Sequence, residues 1–267
     1  MKASRILFIA TVPLALLGAL FLLFAFGTAF DPSVSHYFTA GSPFPVLSGV
    51  FLALSVGYGI AGAILAKKNP EGLSSPAVPS YATAPAAFGA LISAVWLLVA
   101  GQVMLGVLTL FASIFFALCA CFLAKLYGKY LLWAGFIAIA AAIALNVTYY
   151  FDMALEMNAP FKVLLQSAVL AVMLYVTAEC RLLLGRFDRL LIPILTVLCI
   201  SLCIGAGTVD LYLLFAKKES SAVYLAAAPL LLGVGLTALW RLFEILFSKK
   251  ASASTAEQPI ENEEDNA

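Results

Sequence analysis

The sequence predicts an all-α, polytopic transmembrane helix bundle of about eight spans, on the basis of composition, run length and charge placement. Of the 267 residues, 64% are hydrophobic and only 11% are charged, whereas soluble domains carry about 25% charged residues. A soluble fold of this length hides only about three quarters of its chain's surface, so the surplus apolar side chains require lipid. Continuous apolar runs, rather than alternating segments of about ten residues, favour helices over barrel strands.

Each predicted span is an apolar run of roughly 20 residues, the length that crosses a hydrocarbon core of about 30 Å. The first run has a longer apolar core than a signal peptide, which favours a membrane anchor. The stretch 84–123 would make a helix of about 60 Å, so we expect a turn at Gly101-Gln102. Pro229 is predicted to kink the last span. The spans are 6–29, 46–66, 84–100, 103–123, 130–151, 161–180, 190–215 and 223–247.

Basic residues predict the orientation, because they remain in the cytoplasm during insertion. With both termini inside, only Lys162, Lys217 and Lys218 of the fifteen Lys and Arg residues fall outside. We therefore expect a multi-pass plasma-membrane protein with both termini cytoplasmic. The inner set is Lys2, Arg5, Lys67, Lys68, Lys125, Lys129, Arg181, Arg186, Arg189, Arg241, Lys249 and Lys250.

The chain divides into two regions. Residues 1–250 are the predicted transmembrane domain, and 251–267 read as a disordered acidic cytoplasmic tail. The tail is either a solvated end or a segment that docks a basic partner. The net charge of +1 and the scattered basic residues argue against a nucleic-acid partner. The tail's acidic residues are Glu257, Glu261, Glu263, Glu264 and Asp265.

An internal duplication is a further hypothesis. Phe-Asp ends both the first and the fifth span, and each outer loop closes in Pro-Phe-x-Val-Leu, at 43–47 and at 160–164. These matches predict a four-plus-four parallel repeat with halves 1–128 and 129–250. The alternative is chance, since apolar sequences match easily.

Within one half, Ser55, Gly59 and Ala63 recur at every fourth position and predict a close helix-packing seam.

A set of short motifs in the second half carries a resemblance to known proteins. It resembles a pattern in uncharacterised polytopic integral membrane proteins of Clostridia-like Gram-positive bacteria. That resemblance covers about residues 150–181 and implies a kind of host, with no activity attached. The motifs are Tyr150-Phe151-Asp152-Met153, Met157-Asn158-Ala159-Pro160, Gln166 and Glu179-Cys180-Arg181.

The first candidate site is a group of polar residues in the outer third of the membrane. An ionisable group in hydrocarbon costs at least about 2.5 kcal/mol, so it normally faces protein or water. Such residues could line an externally open pocket for a cation, a small polar solute or a lipid head group. Alternatively, each amide bonds a neighbouring helix and Asp210 pairs with a lysine or reaches water. The candidates are Asp210, Asn146, Gln166, Gln102, Asp152 and Asp31.

The second candidate site lies at the inner ends of the sixth and eighth spans. Its members are Glu179, Arg181, Arg241 and Glu244. Arg241 and Glu244 are three residues apart and can pair on one helix. The group is either a set of interfacial anchors, whose charged ends reach the membrane surface, or a cytoplasmic gate.

The sequence offers no catalytic residue, metal site or cofactor motif. Five cysteines lie in or beside apolar runs, where free thiols are expected, and the chain has one histidine. Signatures of nucleophile elbows, zinc proteases and phosphate-binding loops are missing. The predicted function is therefore a non-enzymatic membrane component: a subunit, scaffold or sensor with a membrane or cytoplasmic protein partner. The alternative is a transporter or solute- or lipid-binding protein acting around Asp210, and an intramembrane enzyme ranks third.

Overall fold

A computed structural model describes residues 3–30, 38–39, 41–68, 73–76, 80–121, 128–153, 156, 158–216 and 222–247. It confirms the all-α class: within these ranges, eight helices are long and apolar enough to cross a membrane, and the protein is an integral membrane protein. The helices are α1 Ala3–Phe24, α2 Phe44–Lys68, α3 Ala84–Val99, α4 Val103–Ala120, α5 Gly128–Phe151, α6 Pro160–Leu183, α7 Leu191–Phe215 and α8 Ala227–Phe247. A π-helical turn, Ala25–Ala29, continues α1, and a 3-10 turn, Tyr81–Thr83, precedes α3.

Successive helices cross in alternate directions, which defines two membrane faces. The N-terminal face is the one at which α1 begins; α2, α4, α6 and α8 end there, and the other face is the opposite face. The predicted turn between α3 and α4 is confirmed at Gly101, whose φ of +79° suits glycine. The N–H of Gln102 donates to the carbonyl of Leu97 at 2.9 Å and completes the reversal.

The predicted kink at Pro229 takes the form of an interruption of the last span at residue 226, four residues or fewer before the proline, rather than a bend within one helix. A separate helical turn, Ala222–Leu225, precedes α8, and α8 itself starts at Ala227. Pro229 is thus the third residue of its helix. The first four N–H groups of a helix have no partner within it, so proline costs no hydrogen bond there.

The helix α7 is the most deeply buried of the eight and organises the bundle. It packs against α1, α2, α6 and α8, while α8 also packs on α3, α3 on α4, α4 on α5 and α5 on α6. Six helices, α3 to α8, therefore form a closed ring. The α1–α2 hairpin lies outside this ring, against α7.

The two predicted halves share some helix contacts and differ in others. The hairpins α1–α2 and α5–α6 correspond, as do α3–α4 and α7–α8. However, α6 packs on α7, whereas the described parts of α2 and α3 make no extensive contact. The duplication stays a prediction.

The small-residue seam predicted in α2 is confirmed. Ser55, Gly59 and Ala63 are all buried. The Ser55 hydroxyl donates to the carbonyl of Thr11 at 3.0 Å and lies 3.0 Å from the Ser201 hydroxyl. These contacts join α1, α2 and α7 where backbones approach closely.

A second close seam, between α3 and α8, brings two backbones into contact. A Cβ atom placed on Gly89 would lie 2.1 Å from the carbonyl oxygen of Pro229, and one on Gly233 would lie 2.4 Å from that of Pro85. Only glycine fits at either position. Sequence analysis did not identify this seam.

Two side chains bond exposed backbone groups across the same seam. The N–H of Ala86, in the first turn of α3, donates to the Thr237 hydroxyl at 3.0 Å. The N–H of Leu230, in the first turn of α8, donates to the Ser93 hydroxyl at 3.0 Å. Each hydroxyl satisfies one of the N–H groups that a helix start leaves without an internal acceptor.

Aromatic side chains on α5 mark the depth of the bilayer. Tyr130 and Trp133 are exposed near the N-terminal face, and Tyr150 and Phe151 are exposed near the opposite face. At about 1.5 Å per residue, Tyr130 and Tyr150 lie about 30 Å apart, the thickness of the hydrocarbon core. Tyrosine and tryptophan favour the two membrane interfaces, so this spacing fits a membrane-spanning α5.

Candidate functional site

A buried ion pair joins α6 and α8 near the N-terminal face. The side chains of Arg241 and Glu179 are 1% and 2% exposed. Arg241 donates from Nε to Glu179 Oε1 and from Nη2 to Oε2, each at 2.9 Å. This bidentate geometry is the strongest arrangement for a guanidinium and a carboxylate, and it allows two charged groups to lie inside an apolar bundle.

Three further side chains extend this pair into what we call the Arg241 cluster: Arg241, Glu179, Glu244, Tyr175 and Ser80. Arg241 Nη1 donates to Glu244 Oε2 at 2.8 Å, and the Tyr175 hydroxyl donates to Glu179 Oε1 at 2.6 Å. Both contacts follow from helical spacing, three residues in α8 and four in α6. The Ser80 hydroxyl donates to Glu244 Oε1 from the α2–α3 connection.

The α2–α3 connection is attached to the helix ends around this cluster. The N–H of Ser74 donates to the Ile245 carbonyl at 3.0 Å, and the N–H of Ser80 donates to the Cys119 carbonyl at 3.2 Å. Leu73 is buried in the same region. The connection therefore ties the ends of α4 and α8 together beside the Arg241 cluster.

The fourth residue predicted for this site, Arg181, lies elsewhere. Its Nη2 is 3.8 Å from Asp188 Oδ2, and its side chain is 40% exposed. The structure thus brings together Glu179, Arg241 and Glu244, and places Arg181 in the last turn of α6, beside Asp188 of the α6–α7 loop. Whether the three act as a gate stays a prediction.

Asp210, the leading residue of the predicted outer site, is completely buried in α7. It is close enough to Tyr149 at the end of α5 to interact with it electrostatically. Tyr149 in turn stacks on Tyr224, with ring centroids 5.2 Å apart and planes 15° apart, and its hydroxyl donates to the Val223 carbonyl at 3.3 Å. A pair of stacked tyrosines therefore lies beside Asp210.

The three predicted amides occupy different positions, and the Gln166 side chain is half-buried in α6. Asn146 donates from Nδ2 to the backbone carbonyl of Gln166 at 3.0 Å, which links α5 to α6. Gln102 is exposed at the α3–α4 turn. Asn146 thus serves helix packing, as the alternative interpretation expected.

The remaining outer residues lie around the α5–α6 connection or beyond the described part of the chain. Asp152 accepts a hydrogen bond at its backbone carbonyl from Lys162 Nζ, at 2.7 Å. Lys162, which is predicted to lie on the external side of the membrane, is only 1% exposed. Asp31 falls outside the residues that the structure describes. An open pocket formed by the six predicted residues stays a prediction.

Sequence reasoning missed several members of these clusters. Tyr175 could have been found, because it precedes Glu179 by four residues on a helix. Ser80 carries no comparable signal, since its contact depends on how a Pro- and Ser-rich connection folds back. Lys162 and Tyr149 are recognised only once the packing of α5, α6 and α7 is known.

The cysteines and acidic groups indicate no metal centre within the described ranges. No group of three or more His, Cys, Asp or Glu side chains there could hold an ion. All five cysteines are free thiols, and the sulfurs of Cys199 and Cys203 lie 3.5 Å apart in α7.

The chain matches no protein-family model, no curated protein and no solved structure.

Proposed function

We propose that the protein is a non-enzymatic membrane component, a subunit, scaffold or sensor that acts by binding other proteins. The supporting observation is that the buried charged groups of the Arg241 cluster are bonded to one another. Asn146 is similarly engaged with the backbone at Gln166. A transporter or enzyme needs polar groups presented to a substrate, whereas these groups hold helices together. The basic residues further predict that the N-terminal face is cytoplasmic.

Photo-crosslinking in the host cell tests this proposal. A photoreactive residue would replace, one at a time, an exposed side chain on each of the eight helices, with Leu20, Phe88 and Trp133 among them. We expect one exposed position or more to give a discrete adduct with another membrane or cytoplasmic protein, recovered in reciprocal purification. The matched control is the buried position Leu145, which should give no such adduct. Absence of adducts at exposed positions on all eight helices would contradict the proposal.

A transporter is the second candidate, supported by the complete burial of Asp210 in the central helix α7. Carboxylates within spans commonly lie on ion or proton pathways. Under this alternative, Asp210 exchanges a proton or binds a cation during transport. Its position on α7 would couple that event to the four helices that α7 contacts.

Asp210→Asn separates the two functions. If the protein carries protons, wild-type proteoliposomes containing a pH-sensitive dye will respond to an imposed pH gradient faster than protein-free liposomes. Asp210→Asn will abolish that response while membrane insertion stays intact, because the amide keeps the shape and removes the exchangeable charge. Glu156→Gln, which changes an exposed carboxylate, is the matched control and should retain the flux. Equal flux in Asp210→Asn removes the role of Asp210, and no flux in the wild type favours the membrane component.

A further inference from the structure

A basic groove opens on the N-terminal face beside the start of α7. Its volume is about 690 Å³, within the range of small-ligand sites. Three separate parts of the chain form it: the end of α2, the last turn of α6 and the α6–α7 loop. The lining residues are Lys67, Arg181, Arg186, Phe187, Asp188, Arg189 and Leu190.

Asp188, the single carboxylate among the described residues that line the groove, is already engaged by the protein. Asp188 Oδ1 accepts hydrogen bonds from the N–H groups of Leu190 at 2.9 Å and Leu191 at 3.1 Å. These two bonds, helped by Arg181 and Lys67, hold the pKa of Asp188 below its ordinary value, so it is ionised at neutral pH. The described lining residues, with four cations and one carboxylate, carry a formal charge of +3. The groove is therefore suited to an anion.

The groove also lies at the depth of lipid head groups. Lys67 is the second-last residue of α2, Arg181 lies in the last turn of α6 and Leu190 directly precedes α7. Ile64, one turn before Lys67, and Leu191, the first residue of α7, are exposed apolar side chains beside it. An amphiphile with its anionic end in the groove would thus find apolar surface for its chains.

We propose that this groove binds the head-group phosphate of an anionic phospholipid such as phosphatidylglycerol. Basic pockets between helices at a membrane surface attract anionic head groups, and each cation near the surface adds to that attraction. Arg186 and Arg189 supply planar donors that match phosphate oxygens, while Lys67 supplies a compact positive charge. The site is independent of the proposed partner binding and of Asp210.

Lipid titration followed by native mass spectrometry tests the proposal on the full-length protein in neutral detergent. We expect phosphatidylglycerol to bind more tightly than phosphatidylcholine with the same acyl chains. Lys67→Gln should weaken phosphatidylglycerol binding about five-fold, and Lys67→Gln/Arg189→Gln more than about ten-fold. Lys68→Gln is the matched control: it removes the neighbouring charge, does not line the groove, and should change binding less than about two-fold. If the double variant does not fold, Arg186→Gln replaces it and should also weaken binding about five-fold.

Four outcomes would overturn the proposal. Equal binding of the two lipids would show no head-group selectivity, and an equal loss in Lys68→Gln and Lys67→Gln would show a diffuse surface attraction. Displacement of the lipid by millimolar inorganic phosphate would identify free phosphate as the ligand. Unchanged phosphatidylglycerol binding in a folded Lys67→Gln/Arg189→Gln variant would place the bound lipid outside the groove.

Discussion

Glu179→Leu will lower the free energy of unfolding by about 3–5 kcal/mol, because it leaves the buried guanidinium of Arg241 without its bidentate partner. Glu244 keeps one bond to Arg241, but the Tyr175 hydroxyl also loses its acceptor. The measurement is unfolding in mixed micelles by increasing fractions of denaturing detergent, followed by tryptophan fluorescence. Loss of one partner of a buried pair costs more than loss of an exposed pair, since the remaining charge cannot reach water.

Two control variants separate the charge effect from loss of packing. Glu179→Leu/Arg241→Met removes both members of the pair and should recover most of the lost stability, because apolar side chains of similar volume suit an apolar surrounding. Arg181→Gln, on the same helix but half exposed, should cost less than about 1 kcal/mol. A Glu179→Leu effect no larger than that of Arg181→Gln would contradict the role assigned to the buried pair.

Gly89→Ala will destabilise the protein by about 3–5 kcal/mol, the second large effect. The added methyl group would lie 2.1 Å from the Pro229 carbonyl oxygen, so α3 and α8 must move apart. Overpacking of this kind costs about 1–3 kcal/mol, and separation also weakens the buried hydrogen bonds of Ser93 and Thr237, each worth about 1–3 kcal/mol when its partner is left unsatisfied. Thermal unfolding of the purified protein, monitored by size-exclusion chromatography, will show a lower midpoint.

Gly57→Ala is the matched control for this substitution. Gly57 also lies within a helix, but a Cβ there meets nothing within 4 Å. Alanine has the higher helix propensity, by about 0.8–1 kcal/mol, so this variant should be neutral or slightly more stable. Equal stability of Gly89→Ala and Gly57→Ala would show that α3 and α8 do not pack at contact distance.

The spans could be predicted from the sequence, because they depend only on position along the chain. The contacts between distant helices could not, because they depend on how each helix is rotated about its axis. Apolar run length identified all eight spans, and regular four-residue spacing identified the Ser55, Gly59 and Ala63 seam. Gly89 and Gly233 form no such series; their role arises only because two distant helices cross at those points. Hydropathy likewise predicted that Asp210 lies in the outer third of the membrane, but could not show that its side chain is buried inside the bundle.

The same limit explains the result at the predicted inner site. Spacing within α8 identified Arg241 and Glu244 as neighbours, and sequence left an interhelix pair with Glu179 open. Arg181 is two residues from Glu179 and therefore faces another side of α6, so its spacing already argued against a place in that group. The contact of Ser80 with Glu244 could not be predicted, because it depends on the path of the α2–α3 connection, which has no periodic sequence pattern.

The central position of α7 has a consequence for biosynthesis. The α1–α2 hairpin leaves the ribosome before α7, yet α7, its main neighbour, is complete only after residue 215 has been translated. Until then the hairpin resides in lipid with Ser55 facing Thr11 alone, and Ser201 joins them later. Assembly therefore depends on contacts between segments far apart in translation order, so final compaction follows insertion of the seventh helix.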